Sequence, residues 1–156
     1  MRFLPSLAAA LTMIGSIIIT SSGTTASGLG CDNSQITDAP VALNAISAEM
    51  TLPYGYLCHL MESRGKEISA QRAAYTSNAS IYGPLVRDIC NWRIDFVYYG
   101  TNGEEYMRDK GETVNNCKGA SRVIEKGKTL PQYGSTCAEL FVDGKVRLTQ
   151  CHGMSE

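Results

Sequence analysis

Histidine is scarce in this chain, with only two among 156 residues. Imidazole-based acid–base chemistry at neutral pH therefore has only His59 and His152 to draw on. Close cysteine pairs are missing too. No two cysteines lie nearer than 14 positions apart, which excludes the Cys-x-x-Cys units that announce zinc sites. Cys58-His59 and Cys151-His152 are adjacent pairs, but neighbours on a strand point to opposite faces and do not easily chelate one ion. No metal and no cofactor is implied. There is no His-Glu-x-x-His and no helix-loop-helix calcium loop. Gly127-Lys128-Thr129 ends like a phosphate-binding loop, yet Arg122 stands five positions before Gly127 where glycine is needed. Gly119-Ala120-Ser121-Arg122-Val123 lacks the closing glycine of a nucleophile elbow. A surplus of positive charge is also lacking, with 14 basic residues against 15 acidic. That balance argues against a general nucleic-acid binder. Beyond Ile19 no segment reaches the roughly 20 apolar residues of a membrane-spanning helix. Internal repeats, heptads and low-complexity tracts are absent.

What is present is an N-terminal leader pattern and six cysteines beyond it. Arg2 starts the chain with positive charge, Leu4 to Ile19 is mostly apolar, and Thr24-Thr25-Ala26 suits a signal peptidase. Residues 1–26 are read as a cleaved secretory signal, and residues 27–156 as one secreted, extracellular domain of 130 residues. Cleavage removes only Arg2 from the charge count, leaving a net charge near −2. A lipid-anchored reading would use Cys31. It wants a branched apolar residue three positions earlier, where Gly28 stands. Export places Cys31, Cys58, Cys90, Cys117, Cys137 and Cys151 where disulfides form and persist. Their spacing suggests nearest-neighbour links Cys31–Cys58, Cys90–Cys117 and Cys137–Cys151. Closing a loop of about 27 residues contributes roughly 3–4 kcal/mol in the chain-entropy model. Three such links total about 10 kcal/mol, comparable to the net stability of a whole domain.

The organisation reads as mainly β. Thr37 to Met50 is open to two readings, a helix capped by Thr37 or Asp38 with Pro40 in its first turn, or a strand. Pro53-Tyr54-Gly55 ends it. Tyr56 to Glu62 and Glu67 to Tyr75 flank a turn at Ser63-Arg64-Gly65-Lys66, the alanine-rich second arm being open to a helical reading. Thr76 to Pro84 is a polar loop carrying the acceptor pattern Asn78-Ala79-Ser80. Ile89 to Tyr99 is the clearest strand. Cys90, Trp92, Ile94, Phe96 and Tyr98 alternate onto one face, and Asn91, Arg93 and Asp95 onto the other. Thr101-Asn102-Gly103 turns it back into Glu104 to Asp109. Asn115 to Gln132 is a polar loop with a short element at Ser121 to Ile124. A second hairpin joins Thr136–Val142 to Lys145–Cys151 around Asp143-Gly144. A three-residue loop would set Val142 opposite Val146, Leu140 opposite Leu148 and Cys137 opposite Cys151. A register slid by one would pair Glu139 with Arg147. The fold expected is a small disulfide-stapled antiparallel sandwich or partly open barrel, with one optional N-terminal helix.

Two surface features suit binding. Lys118, Arg122, Lys126 and Lys128 cluster with only Glu125 opposing them, a patch able to meet phosphate, polysaccharide or an acidic partner. Tyr99 and Tyr106 are the candidate exposed aromatic anchors, whereas alternation assigns Trp92, Phe96 and Tyr98 to the core. With no catalytic constellation, the leading function is a secreted, non-enzymatic binding protein of inhibitor, toxin or effector type. Its surface loops would engage an extracellular or envelope macromolecule. The alternatives are a small secreted nuclease using His59 and His152, and a structural cell-surface protein. N-terminal sequencing of the exported protein is expected to begin at Ser27; a chain retaining Met1 would contradict the leader reading.

Overall fold

The computed structural model of the protein describes residues 26–43, 46–77 and 88–154. Apart from Ala26, the expected leader lies outside the described residues, as do Asn78-Ala79-Ser80 and most of the polar loop around them. The described chain is built of strands β1 (Ala26–Leu43), β2 (Ile46–Arg64), β3 (Glu67–Ser77), β4 (Trp92–Gly100), β5 (Glu105–Asp109), β6 (Ser121–Ile124), β7 (Lys128–Thr129), β8 (Gly134–Val142) and β9 (Lys145–Met154). One sheet runs in the order β1-β2-β3-β6, with β7 also pairing to β3, and the other runs β5-β4-β8-β9. Every pair is antiparallel. Two sheets with separate hydrogen-bond ladders make a sandwich and not a closed barrel.

The optional N-terminal helix is replaced by strand. Residues from Thr37 onward lie in β1 and pair with β2 through Ala39↔Met50, Val41↔Ala48 and Leu43↔Ile46. A short helix with weak periodicity has little stability of its own. A cross-strand ladder supplies the missing partners, and Thr37, Val41 and Ile46 favour it. Pro53-Tyr54-Gly55 does not end the element. It lies inside β2, where the β1–β2 register shifts between Ser34 and Ile36. The alanine-rich arm is likewise strand β3, and its turn tightens to Gly65 and Lys66.

The core lies between the sheets. Leu57 and Met61 of β2 and Ala73 and Tyr75 of β3 face Ile94, Phe96 and Tyr98 of β4 with Ala138 and Leu140 of β8. Period-two alternation produces this, since Tyr56, Cys58 and Leu60 between the buried β2 positions are only half-buried. Side chains such as Leu57, Phe96 and Leu140 each contribute about 1.5–3 kcal/mol on burial. The face expected for Trp92, Ile94, Phe96 and Tyr98 is the observed core face, and Cys90 is buried with them. Ile89 precedes the strand proper and bridges Lys118, because Asn91 adopts φ 51° and breaks the ladder before Trp92.

The β8–β9 hairpin keeps the first expected register from Leu140 to Cys137 and departs from both expected registers at the turn. Asp143 (φ 50°) and Gly144 (φ 73°) form a two-residue turn, so Val142 pairs with Lys145 and Phe141 with Val146. A bulge at Arg147 then restores Leu140↔Leu148 and Cys137↔Cys151. Glu139 faces Thr149 and not Arg147. The disulfides are Cys31–Cys58, Cys90–Cys117 and Cys137–Cys151, the nearest-neighbour set. Two of them join residues directly opposite in β1–β2 and β8–β9. The third ties the segment before β6 to the head of β4, beside the bridges Ile89↔Lys118 and Trp92↔Val114.

Gly134 opens β8 with φ 151°, and a Cβ there would collide with the Tyr99 carbonyl oxygen. Gly134→Ala is expected to cost about 2 kcal/mol or more. Gly119→Ala, whose Cβ meets nothing within 4 Å, should stay within about 0.5 kcal/mol of the parent. Urea denaturation of both variants checks the contrast, and equal stability would refute the close-approach argument.

Candidate functional site

The two histidines are brought together, on the inside of the sandwich. Their ring centroids are 4.9 Å apart, and His152 Nε2–H donates to the His59 carbonyl oxygen at 2.7 Å. His59 is 0% exposed and stacks on Phe96 at 5.4 Å. Its Nε2–H donates to Gln71 Oε1 at 3.2 Å; Gln71 Nε2 donates to the Tyr98 hydroxyl at 2.7 Å; Tyr98 donates to Asp109 Oδ2 at 2.8 Å. Lys128 completes the line with an ion pair to Asp109. The Nδ1 atom of His59 is buried without a hydrogen-bond partner of ordinary geometry. Burial, then the neighbouring His152, push the His59 pKa down to about 4, against smaller opposing contributions from Gln71 and the main chain of Gln150. The ring is therefore neutral at physiological pH. His59 is sealed from solvent, so of the two rings only the half-buried His152 is within reach of the surface.

Tyr98 is driven well above the usual tyrosine range by burial and by the Asp109 carboxylate. Burial alone would raise Asp109, but Lys128, Tyr98 and Arg122 outweigh it and hold the carboxyl below its ordinary value.

The outer end of this line opens on a basic face built by β5, β6, β7 and the segments between them. A groove of about 410 Å³ is lined by Arg108, Asp109, Lys110, Arg122, Lys126 and Lys128, with Ile124 and Gly127. Beside it a second groove of about 510 Å³ includes Lys110, Glu112, Lys118, Arg122, Val123 and Trp92 in its lining. Lys110 and Arg122 line both. Arg122 is pinned from below. Its Nη1 donates to the carbonyls of Ile94 (2.9 Å) and Asp109 (2.6 Å), its Nη2 to that of Lys110 (3.4 Å), and its guanidinium lies 5.0 Å over Phe96. Lys128 is held over the Tyr98 ring at 4.8 Å. The ammonium groups of Lys110, Lys118 and Lys126 have no partner among the described residues.

Of the binding residues expected from sequence, Lys118, Arg122, Lys126 and Lys128 thus share one face, two uncommitted and two fixed in place. Tyr99 and Tyr106 lie elsewhere. The Tyr99 hydroxyl donates to Glu139 Oε1 at 3.0 Å, beside an ion cluster in which Arg93 and Arg108 bind Asp95, and Arg108 also binds Glu105 and Glu139. Asp95 is 0% exposed. Burial would raise its pKa, yet Arg93, the Gly111 amide and Arg108 together hold it below the usual range. Tyr106 is half-buried, tilted against Tyr98 at 6.5 Å, with its hydroxyl directed at the Gln132 carbonyl. Both hydroxyls are thus engaged within the molecule. Among the described residues the large exposed apolar side chains are Leu29, Val123 and Val146, on β1, β6 and β9.

Lys110 and Arg108 stand only 8 and 10 positions before Lys118 but read in sequence as part of the β4–β5 hairpin, whose end the fold sets beside the cluster. A signal existed in the distribution of charge: between Arg2 and Arg64 there is no Lys or Arg, so 13 cations are crowded into the remainder. Among the described residues no group of His, Cys, Asp and Glu is arranged to hold a metal ion, and no helix is long and apolar enough to cross a membrane. No protein-family model, curated protein or solved structure matches this chain.

His59 binds protons more weakly folded than unfolded, so stability should fall as pH drops from about 6.5 toward 4 and stay constant above that window. The full effect is about 3 kcal/mol. Depressed Asp95 and Asp109 extend the loss at lower pH, since their contribution is present above the usual carboxylate pKa and vanishes on protonation. Urea unfolding measured between pH 7 and pH 4.5 should show the decline in the parent and a flatter profile in His59→Gln. Parallel profiles would refute the assignment.

Proposed function

We propose that the protein is an exported, non-enzymatic binding protein that engages an anionic extracellular or envelope macromolecule through its basic face. The observation that carries this reading is the set of uncommitted ammonium groups on Lys110, Lys118 and Lys126, displayed along two adjoining grooves of a chain whose overall charge is slightly negative. Lysines spread only for solubility need neither grooves nor clustering. Here they surround two cations, Arg122 and Lys128, that the core already holds still, so the field does not depend on side-chain ordering. The three disulfides suit an oxidising compartment, where a stapled scaffold keeps such a face in shape. Binding needs no chemistry from His59, whose hydrogen bonds are directed into the core.

The test measures adsorption of the purified protein to surfaces from its own environment at rising salt. Lys110→Ala/Lys118→Ala/Lys126→Ala should reduce binding about tenfold or more, and the parent should weaken strongly between about 0.1 M and 1 M salt as screening shortens. His152→Ala should bind as the parent does. Binding that ignores both salt and the three lysines would overturn the reading.

A further inference from the structure

We infer that the ligand of the basic face is a linear acidic polysaccharide lying across both grooves, an identification that rests on reading this face as the binding surface. The first ground is length. Lys118 lines only one groove and Lys126 only the other, while Lys110 and Arg122 line both. A small oxyanion seated in one groove leaves the far lysine idle. A chain with a negative group on successive units uses all three free ammonium groups at once, and linking the contacts raises affinity without any new kind of contact.

The second ground is the kind of cation offered. Arginine forks recognise phosphate in a bidentate manner. Here both arginines are already engaged: Arg122 donates to main-chain carbonyls, and Arg108 binds Glu105, Glu139 and Asp95. What remains free is lysine, a flexible point charge indifferent to the exact geometry of the anion. That suits carboxylates or sulfates spaced along a polymer better than a precisely oriented phosphate.

The third ground separates this ligand from other polyanions. Single-stranded nucleic acids are held by bases stacked on exposed aromatic rings. Among the described residues the one aromatic lining either groove is Trp92, which is 4% exposed with its indole N–H bound to the Lys118 carbonyl. An anionic membrane would be gripped more firmly by apolar side chains entering it. Among the described residues of this face Val123 alone is large, apolar and exposed. Sugar units need neither stacking nor insertion to present their charges.

The experiment uses the full exported chain with its disulfides intact. Fluorescent oligogalacturonate of about ten sugars and a heparin fragment of similar length serve as carboxylate and sulfate probes. The comparators are the galacturonate disaccharide, neutral dextran, a single-stranded oligonucleotide and vesicles containing phosphatidylserine. At least one long probe should bind about tenfold or more tighter than the disaccharide, the oligonucleotide and the vesicles, and dextran should not bind. Lys118→Ala and Lys126→Ala should each weaken the long probe several-fold, whereas Lys145→Ala, a lysine outside the lining of both grooves, should not. The stronger of the two long probes identifies the anionic group. Equal or tighter binding of the oligonucleotide or the vesicles through the same lysines would overturn the polysaccharide identification while leaving the basic face as the binding surface. Long-probe affinity no better than that of the disaccharide would overturn it in the same way. Indifference of every anionic ligand to Lys110, Lys118 and Lys126 would remove both readings.

Discussion

The line of hydrogen bonds from His59 through Gln71 and Tyr98 to Asp109 is the constraint on which the rest of the structure depends. It starts in β2 and β3, crosses the interior to β4 and β5, and returns through Lys128 to β7. Each group has a defined direction of donation, so no member can be lost without leaving a buried neighbour unsatisfied, at a cost of about 1–3 kcal/mol. The line fixes how the sheets are set against each other, because apolar packing alone tolerates sliding and a chain of directed bonds does not. It also fixes the position of Asp109 and Lys128 at the surface, and so connects the order of the core to the charge of the grooves.

The disulfides have a different role. None joins a strand of one sheet to a strand of the other. Two reinforce ladders that hydrogen bonds already make, and their main effect is on the unfolded chain. The third, Cys90–Cys117, holds the segment that carries Lys118 against the start of β4, and is the one closest to the proposed binding surface. Cohesion between the sheets is left to the packed core, to the polar line and to Arg122, which reaches from β6 to the carbonyls of Ile94 and Asp109.

Much of this fold was legible in the residues. The alternation from Trp92 to Tyr98 marks a strand with one buried face, and Asp143-Gly144 marks a turn because both positions accept positive φ. The nearest-neighbour cysteine pairing was legible because two of its three links, Cys90–Cys117 and Cys137–Cys151, bracket expected hairpins. Thr37 to Met50 stayed open between helix and strand since its pattern fits both, and pairing across the chain decided it. The bulge at Arg147 was not legible, being a compromise between a tight turn and the cross-strand position of Cys137 and Cys151. Lys118, Arg122, Lys126 and Lys128 announced the basic face, but its partners Lys110 and Arg108 read as part of the preceding hairpin and join it only through the fold. The burial of His59, Gln71 and Asp95 was hidden for a related reason: polar residues on strands read as solvent-facing until the groups that satisfy them are brought near by the fold.

Charge is segregated along the first sheet. Its order, β1-β2-β3-β6, sets two strands whose single cation is Arg64 at the edge remote from β6 and β7, with Arg122 and Lys128 at the other. The positive end of that sheet would meet a negatively charged support first.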